Sequence, residues 1–461
     1  MLEHFFRFRE NGTTLARDTV AGFTTFFVMS YVIFVNPAIL SFAGEAGMEG
    51  KGLPYAAALT STCLVAGVMT LVMALFGRRA YALAPGMGVN AAVAYQLVMG
   101  QGLTMANAMG LVVLEGLVIV LLVVTGVRQA VFHIVPAQLK QAIVVGIGFF
   151  ILFLGLVNGG VVVKGAGTPL AIGDFTRVPV YLTIFGLVVM IVLLARGWRV
   201  AVPLGILATT VLAVLVNWAT SGELVREGFA TIPASPVAMP DFSLVGAFDF
   251  GAFAKLGVLS ACVWVFSLML SDFFDSFGTL VGVGAQAGYT TQDGDLPGLK
   301  RLMLIDAAAA AAGGAVSASS ATAFIESGAG VAVGGRSGWV GVVVGACFLL
   351  AMVFSPVAGM VPAEATAPAL MIVGYLMIRT LSEREKLDLR DLSFGLPATL
   401  TITLMPLTYS IATGIGAGFL CYVAIRVAKG EWRKLHPLLY AFAVVFLLYF
   451  LAPLLREWVK A

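Results

Sequence analysis

The chain has 461 residues, 60% of them hydrophobic and only 11% charged, with a mean hydropathy of +1.00. A soluble domain carries roughly 25% charged residues, so an ordinary water-soluble enzyme is excluded. A net charge of +3 leaves no basic surface for nucleic acid, and the expected partner is the lipid bilayer.

The first segment, 1–18, is polar, holds Arg7, Arg9 and Arg17, and lacks a cleavage pattern. The apolar run after it is therefore expected to stay as a membrane helix. A crossing helix needs about 20 apolar residues. Full spans are expected near 19–40, 56–76, 105–126, 140–158, 179–195, 200–218, 256–281, 301–317, 338–356, 363–380, 394–409 and 411–428. Two Gly-rich segments, 87–100 and 326–335, are too short to cross alone. A further apolar stretch, 437–455, either crosses or lies at the interface.

Cationic residues set the orientation. Arg7, Arg9, Arg17, Arg78, Arg79, Arg128, Lys140, Arg196, Arg199, Lys300, Arg301, Arg336, Arg379, Arg384, Lys386 and Arg390 all fall on alternate loops. By the positive-inside bias these face the cytoplasm, with the N-terminus. The loop 219–255 then lies outside, as do Lys164 and Arg177, which go against the bias.

Short runs recur in the same order in the two halves. Val135-Pro136-Ala137-Gln138 matches Val361-Pro362-Ala363-Glu364, Gly205-Ile206-Leu207-Ala208 matches Gly414-Ile415-Gly416-Ala417, and Gly86-Met87-Gly88-Val89 matches Gly328-Ala329-Gly330-Val331. Seven segments per copy is an odd number, so the second copy must be inverted. The fold expected is an all-α polytopic membrane protein with a 7+7 inverted repeat. Paired, interrupted short helices in inverted repeats mark secondary transporters, with the site where the two short helices meet at the midplane.

Charges inside apolar segments cost about 2.5–3.5 kcal/mol each on insertion scales, so the few present are informative. Asp272 and Asp275, three apart in the span 256–281, share a helix face, and Thr279 shares it with Asp275. Neighbouring buried carboxylates hold a proton more readily, so one of this pair is a candidate for proton exchange. The plainer reading is a capped helix break or a distant ion pair. Glu326 falls at the start of the second short segment, where it either caps its own helix or faces a ligand's N–H groups. In the first short segment Pro85 suits a first helical turn. Gly86 and Gly88 let a planar ligand approach the backbone, and Asn90 offers a donor and an acceptor. Gly328 is the counterpart in the second segment. Glu115 and Asp306 read as structural charges.

Phe26, Tyr31, Phe273, Phe274 and Phe277 could stack on a ring, though core packing is the commoner use. Cys63, Cys262, Cys347 and Cys421 form no CxxC pair and read as four core thiols, without a metal or a disulfide framework. His4, His133 and His436 stand at segment ends, so coupling should rest on carboxylates. No metal and no cofactor is expected. An organic-anion carrier would want cations where this sequence has acids. An intramembrane enzyme would want a nucleophile–base pair or His ligands. A channel fits less well than a carrier with an occluded site.

The runs Tyr31–Leu40 (YVIFVNPAIL), Ala84–Tyr95 (APGMGVNAAVAY), Asp272–Val283 (DFFDSFGTLVGV) and Ser319–Gly330 (SSATAFIESGAG) resemble the AzgA-like adenine/guanine/hypoxanthine permeases of the nucleobase–ascorbate transporter superfamily, along essentially the whole chain. The resemblance implies proton symport of purine bases, often by a homodimer in the inner (cytoplasmic) membrane. It implies a core domain (19–126 and 256–356) moving like an elevator against a gate domain (127–218 and 357–428), with 429–461 as a tail outside a strict 14-helix plan. By motif, Asp275 matches the acid that binds the base and Asp272 the added acid of the purine branch. Glu326 and Ser327 match the second acid and its polar neighbour, and Asn90 the asparagine of that branch. Thr25 and Thr279 stand where some relatives have His, so coupling through His does not carry over. Other solutes of the same fold, such as xanthine, uracil or an organic anion, remain the alternative.

Overall fold

The structure is a computed structural model that describes residues 2–43, 48, 50–126, 135–165, 167–198, 200–220, 233, 235–290, 296–379 and 389–460. Arg128, His133, Arg199, Arg384 and Lys386, and the side chains of His4, Ala137, Phe274 and Phe277, lie outside the described residues.

After a one-turn helix, Leu2–Phe6, Thr14 caps α1 (Leu15–Met29), its side chain accepting from the Arg17 amide. The expected span 19–40 falls in one crossing stretch, Leu15–Leu40, with a turn at Ser30–Tyr31, after which the chain resumes as α2 (Val32–Leu40), which carries Pro37. There follow α3 (Tyr55–Val72), strand β1 (Leu83–Pro85) and the short α4 (Met87–Ala91), continued by a π-helical stretch Ala92–Gly100. Next come α5 (Met105–Val124), α6 (Ala137–Asn158), a hairpin of β2 (Val162–Val163) and β3 (Ala171–Ile172), α7 (Val178–Ala195) and α8 (Ala201–Ala219). The second half holds α9 (Val258–Gln286), α10 (Leu299–Ala315), β4 (Ala321–Ala323), α11 (Ser327–Ala332), α12 (Trp339–Ala351), α13 (Ala363–Arg379), α14 (Leu392–Leu407), α15 (Ile411–Ala428) and α16 (Pro437–Lys460).

Eight helices among the described residues are long and apolar enough to cross a membrane, against twelve full spans expected. Helix α9 has 29 residues, while α10 and α14 have 17 and 16. Within the mostly helical fold, β1 and β4 pair antiparallel, Leu83 opposite Ala323 and Pro85 opposite Ala321. A chain that leaves a helix inside an apolar protein must satisfy its backbone groups internally, and the two interrupted segments do so against each other. Nor are all four thiols in the core: Cys63 is buried, Cys347 and Cys421 are half-buried and Cys262 is exposed. A thiol is apolar enough to face outward from a membrane helix.

The helices pack by close approach of small residues. Gly116 of α5 lies so near the Ala311 backbone of α10 that a Cβ there has no room. Helix α5 also meets α9, α3 meets α2 and α12, and α1 meets α11 and α12. Helix α6 packs on α13 and α14, α14 on α15, and α7 and α8 on each other and on α13. Between these two sets lie thinner contacts, such as α4 and α9 with α6. The stretch 235–257 ties members of the first set together. Ala238 donates to the Val353 carbonyl (3.0 Å), Asp241 to Thr60 Oγ1 (3.1 Å), Gly246 to the Ala315 carbonyl (2.8 Å) and Asp249 to the Ala106 carbonyl (3.1 Å). The stretch 437–455, left open between crossing and interfacial, falls in the continuous helix α16. It packs on α15 and α9 through Phe442 and Phe446, whose rings meet Phe266 and Phe419.

Candidate functional site

The site grows out of the paired strands. The Gly86 amide donates to the Ser320 carbonyl (2.8 Å) and the Phe324 amide to the Ala82 carbonyl (2.9 Å). Side chains satisfy what the ladder leaves over. Thr70 Oγ1 accepts from the Leu83 amide (2.8 Å), Asp306 Oδ1 from the Ala323 amide (2.9 Å) and Ser327 Oγ from the Ala82 amide (2.9 Å). Because the strands are antiparallel, α4 and α11 leave the crossing in opposite directions, each starting beside the other's strand.

Glu326 occupies the N-cap position of α11, yet its side chain makes no capping bond. Its Oε1 accepts instead from the Tyr31 hydroxyl at 2.8 Å, and Tyr31 sits where α1 breaks into α2. Asp275 of α9 is half-buried, makes no hydrogen bond among the described residues, and is close enough to Glu326 and Asp306 for their charges to interact. Glu326 is half-buried as well. One turn earlier Asp272 is buried and accepts from Ser320 Oγ (3.1 Å) in the loop leading to β4. Thus α9, α11 and the α1–α2 break bring two carboxylates and a phenol together, while Asp272 is held against the strand crossing.

The other sequence candidates divide. Asn90 is fully buried and donates to Asn36 Oδ1 (2.5 Å). Thr25 is fully buried and packs on Gly330 of α11, where a Cβ would strike its hydroxyl. Thr279 is buried. The Phe26 ring meets Phe348 edge-on at 5.2 Å, a packing contact. Phe273 is buried. The bare face of Gly88 is turned to Ile147 of α6 and, less closely, to Ser271 of α9. Gly328 lies against Gln286, whose Nε2 donates to its carbonyl (3.3 Å). The Ser327 hydroxyl is taken up by the Ala82 amide. Glu115 is fully buried, where Gly116 brings α5 onto α10.

The profile of the permease family matches residues 17–417. The chain belongs to the permease family. It is 38% identical to adenine permease AdeP of Escherichia coli over 97% of this chain and 95% of that protein. It is 36% identical to guanine/hypoxanthine permease PbuG of Bacillus subtilis over 98% of this chain and 99% of that protein. Among solved structures it is similar to the transmembrane domain of a cyanobacterium bicarbonate transporter, BicA, with a TM-score of 0.60 over 87% of this chain and 96% of that one. At 15% identity that likeness concerns the fold alone. A permease is a transporter and not an enzyme.

Two buried polar residues of this permease, Asn36 and Asp18, were not singled out from the sequence, and a third, Tyr31, was singled out for another group. Asn36 is a fully buried amide bonded to Asn90, Thr62 and Ala318. Tyr31 was considered for its ring, and the structure uses its hydroxyl. Asp18 at the foot of α1 is fully buried and accepts from the Arg336 and Ser337 amides, both at 3.0 Å, and from Thr13 Oγ1 at 2.6 Å. Asn36 was visible as an amide within an apolar run, which is costly unless it has a task.

Proposed function

We propose that this permease imports purine nucleobases, namely adenine, guanine and hypoxanthine, by proton symport. The observation that carries the reading is the meeting of Asp275 with the Tyr31–Glu326 pair in a chain 36–38% identical to permeases named for adenine and for guanine and hypoxanthine. Carboxylates suit a cargo rich in N–H donors and repel an organic anion. In this reading Glu326 and Asp275 accept N–H groups of the base, Asn90 completes its hydrogen bonding, and Thr25, Phe26, Gly88, Thr279, Ser327 and Gly328 shape the surroundings. Protonation of Asp272, Asp275 or Glu326 removes a buried negative charge and lowers the cost of moving the loaded site.

The movement is an elevator of a core domain (19–126 and 256–356) against a gate domain (127–218 and 357–428), related as a 7+7 inverted repeat whose half-helices meet at the midplane. The thin contacts between the two sets of helices, and the hydrogen bonds by which stretch 235–257 ties members of one of them together, support that division. The permease works in the inner membrane with a cytoplasmic N-terminus, as a homodimer. The decisive experiment replaces Glu326 by Gln and measures radiolabelled adenine and hypoxanthine uptake alongside the amount of permease in the membrane. Uptake should vanish with the protein still present; normal uptake would refute the assignment.

A further inference from the structure

Asn36 and Asn90 form a pair of amides whose hydrogen-bond directions are fixed by their neighbours. The Asn36 Nδ2 donates to Thr62 Oγ1 (2.8 Å) and to the Ala318 carbonyl (3.1 Å). A carbonyl only accepts, and the Thr62 hydroxyl spends its own proton on the Ala58 carbonyl (2.6 Å), so it accepts here too. Both N–H bonds of Asn36 are therefore committed, and its Oδ1 must accept. The donor is Asn90 Nδ2 at 2.5 Å, whose other N–H lies by Met87 Sδ at 3.6 Å. This leaves Asn90 Oδ1, a buried acceptor with no hydrogen-bond partner among the described residues. Buried acceptors are rarely left so, because the loss of hydration is uncompensated.

We infer that Asn36 is a positioning residue that locks Asn90 as an acceptor, and that Asn90 Oδ1 takes the imidazole N–H of the purine. The inference rests on the purine reading above and adds which edge of the base each group serves. The six position donates in adenine and accepts in guanine and hypoxanthine, while N1 accepts in adenine and donates in the two oxopurines. An amide free to turn can serve either pattern, and so can a carboxyl group, which accepts when ionised and donates when protonated. A locked acceptor cannot. The imidazole N–H is the ring donor that all three bases share, so it is the feature that a locked acceptor can serve in each of them. The variable edge then falls to Asp275 and Glu326.

The test is competition of radiolabelled hypoxanthine uptake by 7-methyl-, 9-methyl- and 8-methylhypoxanthine. The first two lack the imidazole N–H; the third keeps it and controls for bulk. With the unaltered permease the 7- and 9-methyl compounds should compete at least about tenfold less well than the 8-methyl compound. In Asn36→Ala the freed Asn90 amide can turn, and the ratio should fall towards one. In Asn36→Asp a carboxylate oxygen still accepts from Asn90 Nδ2, so the ratio should persist even if the rate drops. Equal competition by the three compounds in the unaltered permease overturns the inference, whether or not the variants fold. A ratio retained in Asn36→Ala, or lost in Asn36→Asp, overturns it too, because a packing role would produce those results. If the unaltered permease takes up no purine, the function proposed above fails; uptake that ignores N-methylation sinks this inference alone.

Discussion

Asp18 offers the clearest energetic test of how the candidate site is held. Its carboxylate is fully buried and receives four donors: the amides of Arg336 and Ser337 and the hydroxyls of Thr13 and Ser337. The Arg336 guanidinium in turn donates to the Val331 (2.6 Å) and Gly335 (2.7 Å) carbonyls behind α11, the helix that begins after Glu326. In Asp18→Ala the hydroxyls can turn; Thr13 already reaches the Gly334 carbonyl at 3.2 Å. The two amides cannot turn. An unmet buried donor costs about 1–3 kcal/mol, so the pair implies about 2–6 kcal/mol, with water entry favouring the lower half. A shift of 2–4 °C per kcal/mol for 150–250 residues becomes roughly half that in a chain twice as long, which predicts a fall in Tm of about 2–8 °C. Asp18→Asn keeps one acceptor oxygen and should fall between. The assay is thermal unfolding of the detergent-solubilised permease followed by size-exclusion, with uptake measured in parallel. KM should rise as the far end of α11 loosens. A Tm for Asp18→Ala within a degree of the parent would show that these amides are not buried by the clamp, and the reasoning would fail.

The remaining predictions concern the carboxylate site and the packing around it. Tyr31→Phe removes the hydroxyl that donates to Glu326. A hydrogen bond to a charged group contributes about 1.5–3 kcal/mol, so KM for hypoxanthine should rise about tenfold or more with the membrane level unchanged, and an unchanged KM counts against the pairing. Gly330→Ala puts a methyl against Thr25 Oγ1 and the Ala21 carbonyl; overpacking of this kind costs about 1–3 kcal/mol. The melt should show that loss, with partial recovery in the double variant Gly330→Ala, Thr25→Ala, and additive effects would argue against the contact. Phe446 is fully buried and its ring meets Phe266 and Phe419. Phe446→Ala should cost about 3–5 kcal/mol if α16 is integral to the fold, and an unchanged melt would make α16 an appendage.

The spans were legible because apolar length is a bulk property, and the two Gly-rich interruptions were legible because they were too short. What the sequence did not reveal was how the interruptions are closed. Leu83–Pro85 and Ala321–Ala323 are three-residue strands with no alternation to read, and each exists because the other supplies its backbone partners. The candidate acids were legible one at a time, since a charge in an apolar run stands out. Their neighbours were not. Tyr31 and Glu326 are 295 residues apart, and a tyrosine near a helix break carries no local signal of what its hydroxyl will meet. At Gly88 the lack of a side chain was read as room for a ligand, and in the structure a Cβ there would meet Ile147, a contact 59 residues away in sequence that no local pattern shows.

The buried acids sort by what they are spent on, and this sorting favours one assignment of roles. Asp18 and Asp306 accept from backbone amides that have no other place to go. A carboxylate so used is a fixed part of the fold, because giving it a proton removes acceptor capacity from donors that cannot move. Asp272 accepts from the Ser320 hydroxyl, a donor that can turn. Glu326 accepts from a phenol, and Asp275 from no donor among the described residues. A cargo's N–H groups can replace only partners that are able to leave, and a proton can be gained without unfolding only where no amide depends on the charge. On that ground Asp275 and Glu326 are the groups free to exchange partners. The ordering is open to measurement. Asp306→Ala, which removes the acceptor of the Ala323 amide, should lower the melting temperature and the membrane level together. Asp275→Asn should leave both near the parent and abolish uptake. A reversal of those two phenotypes would break the link drawn here between backbone commitment and transport role.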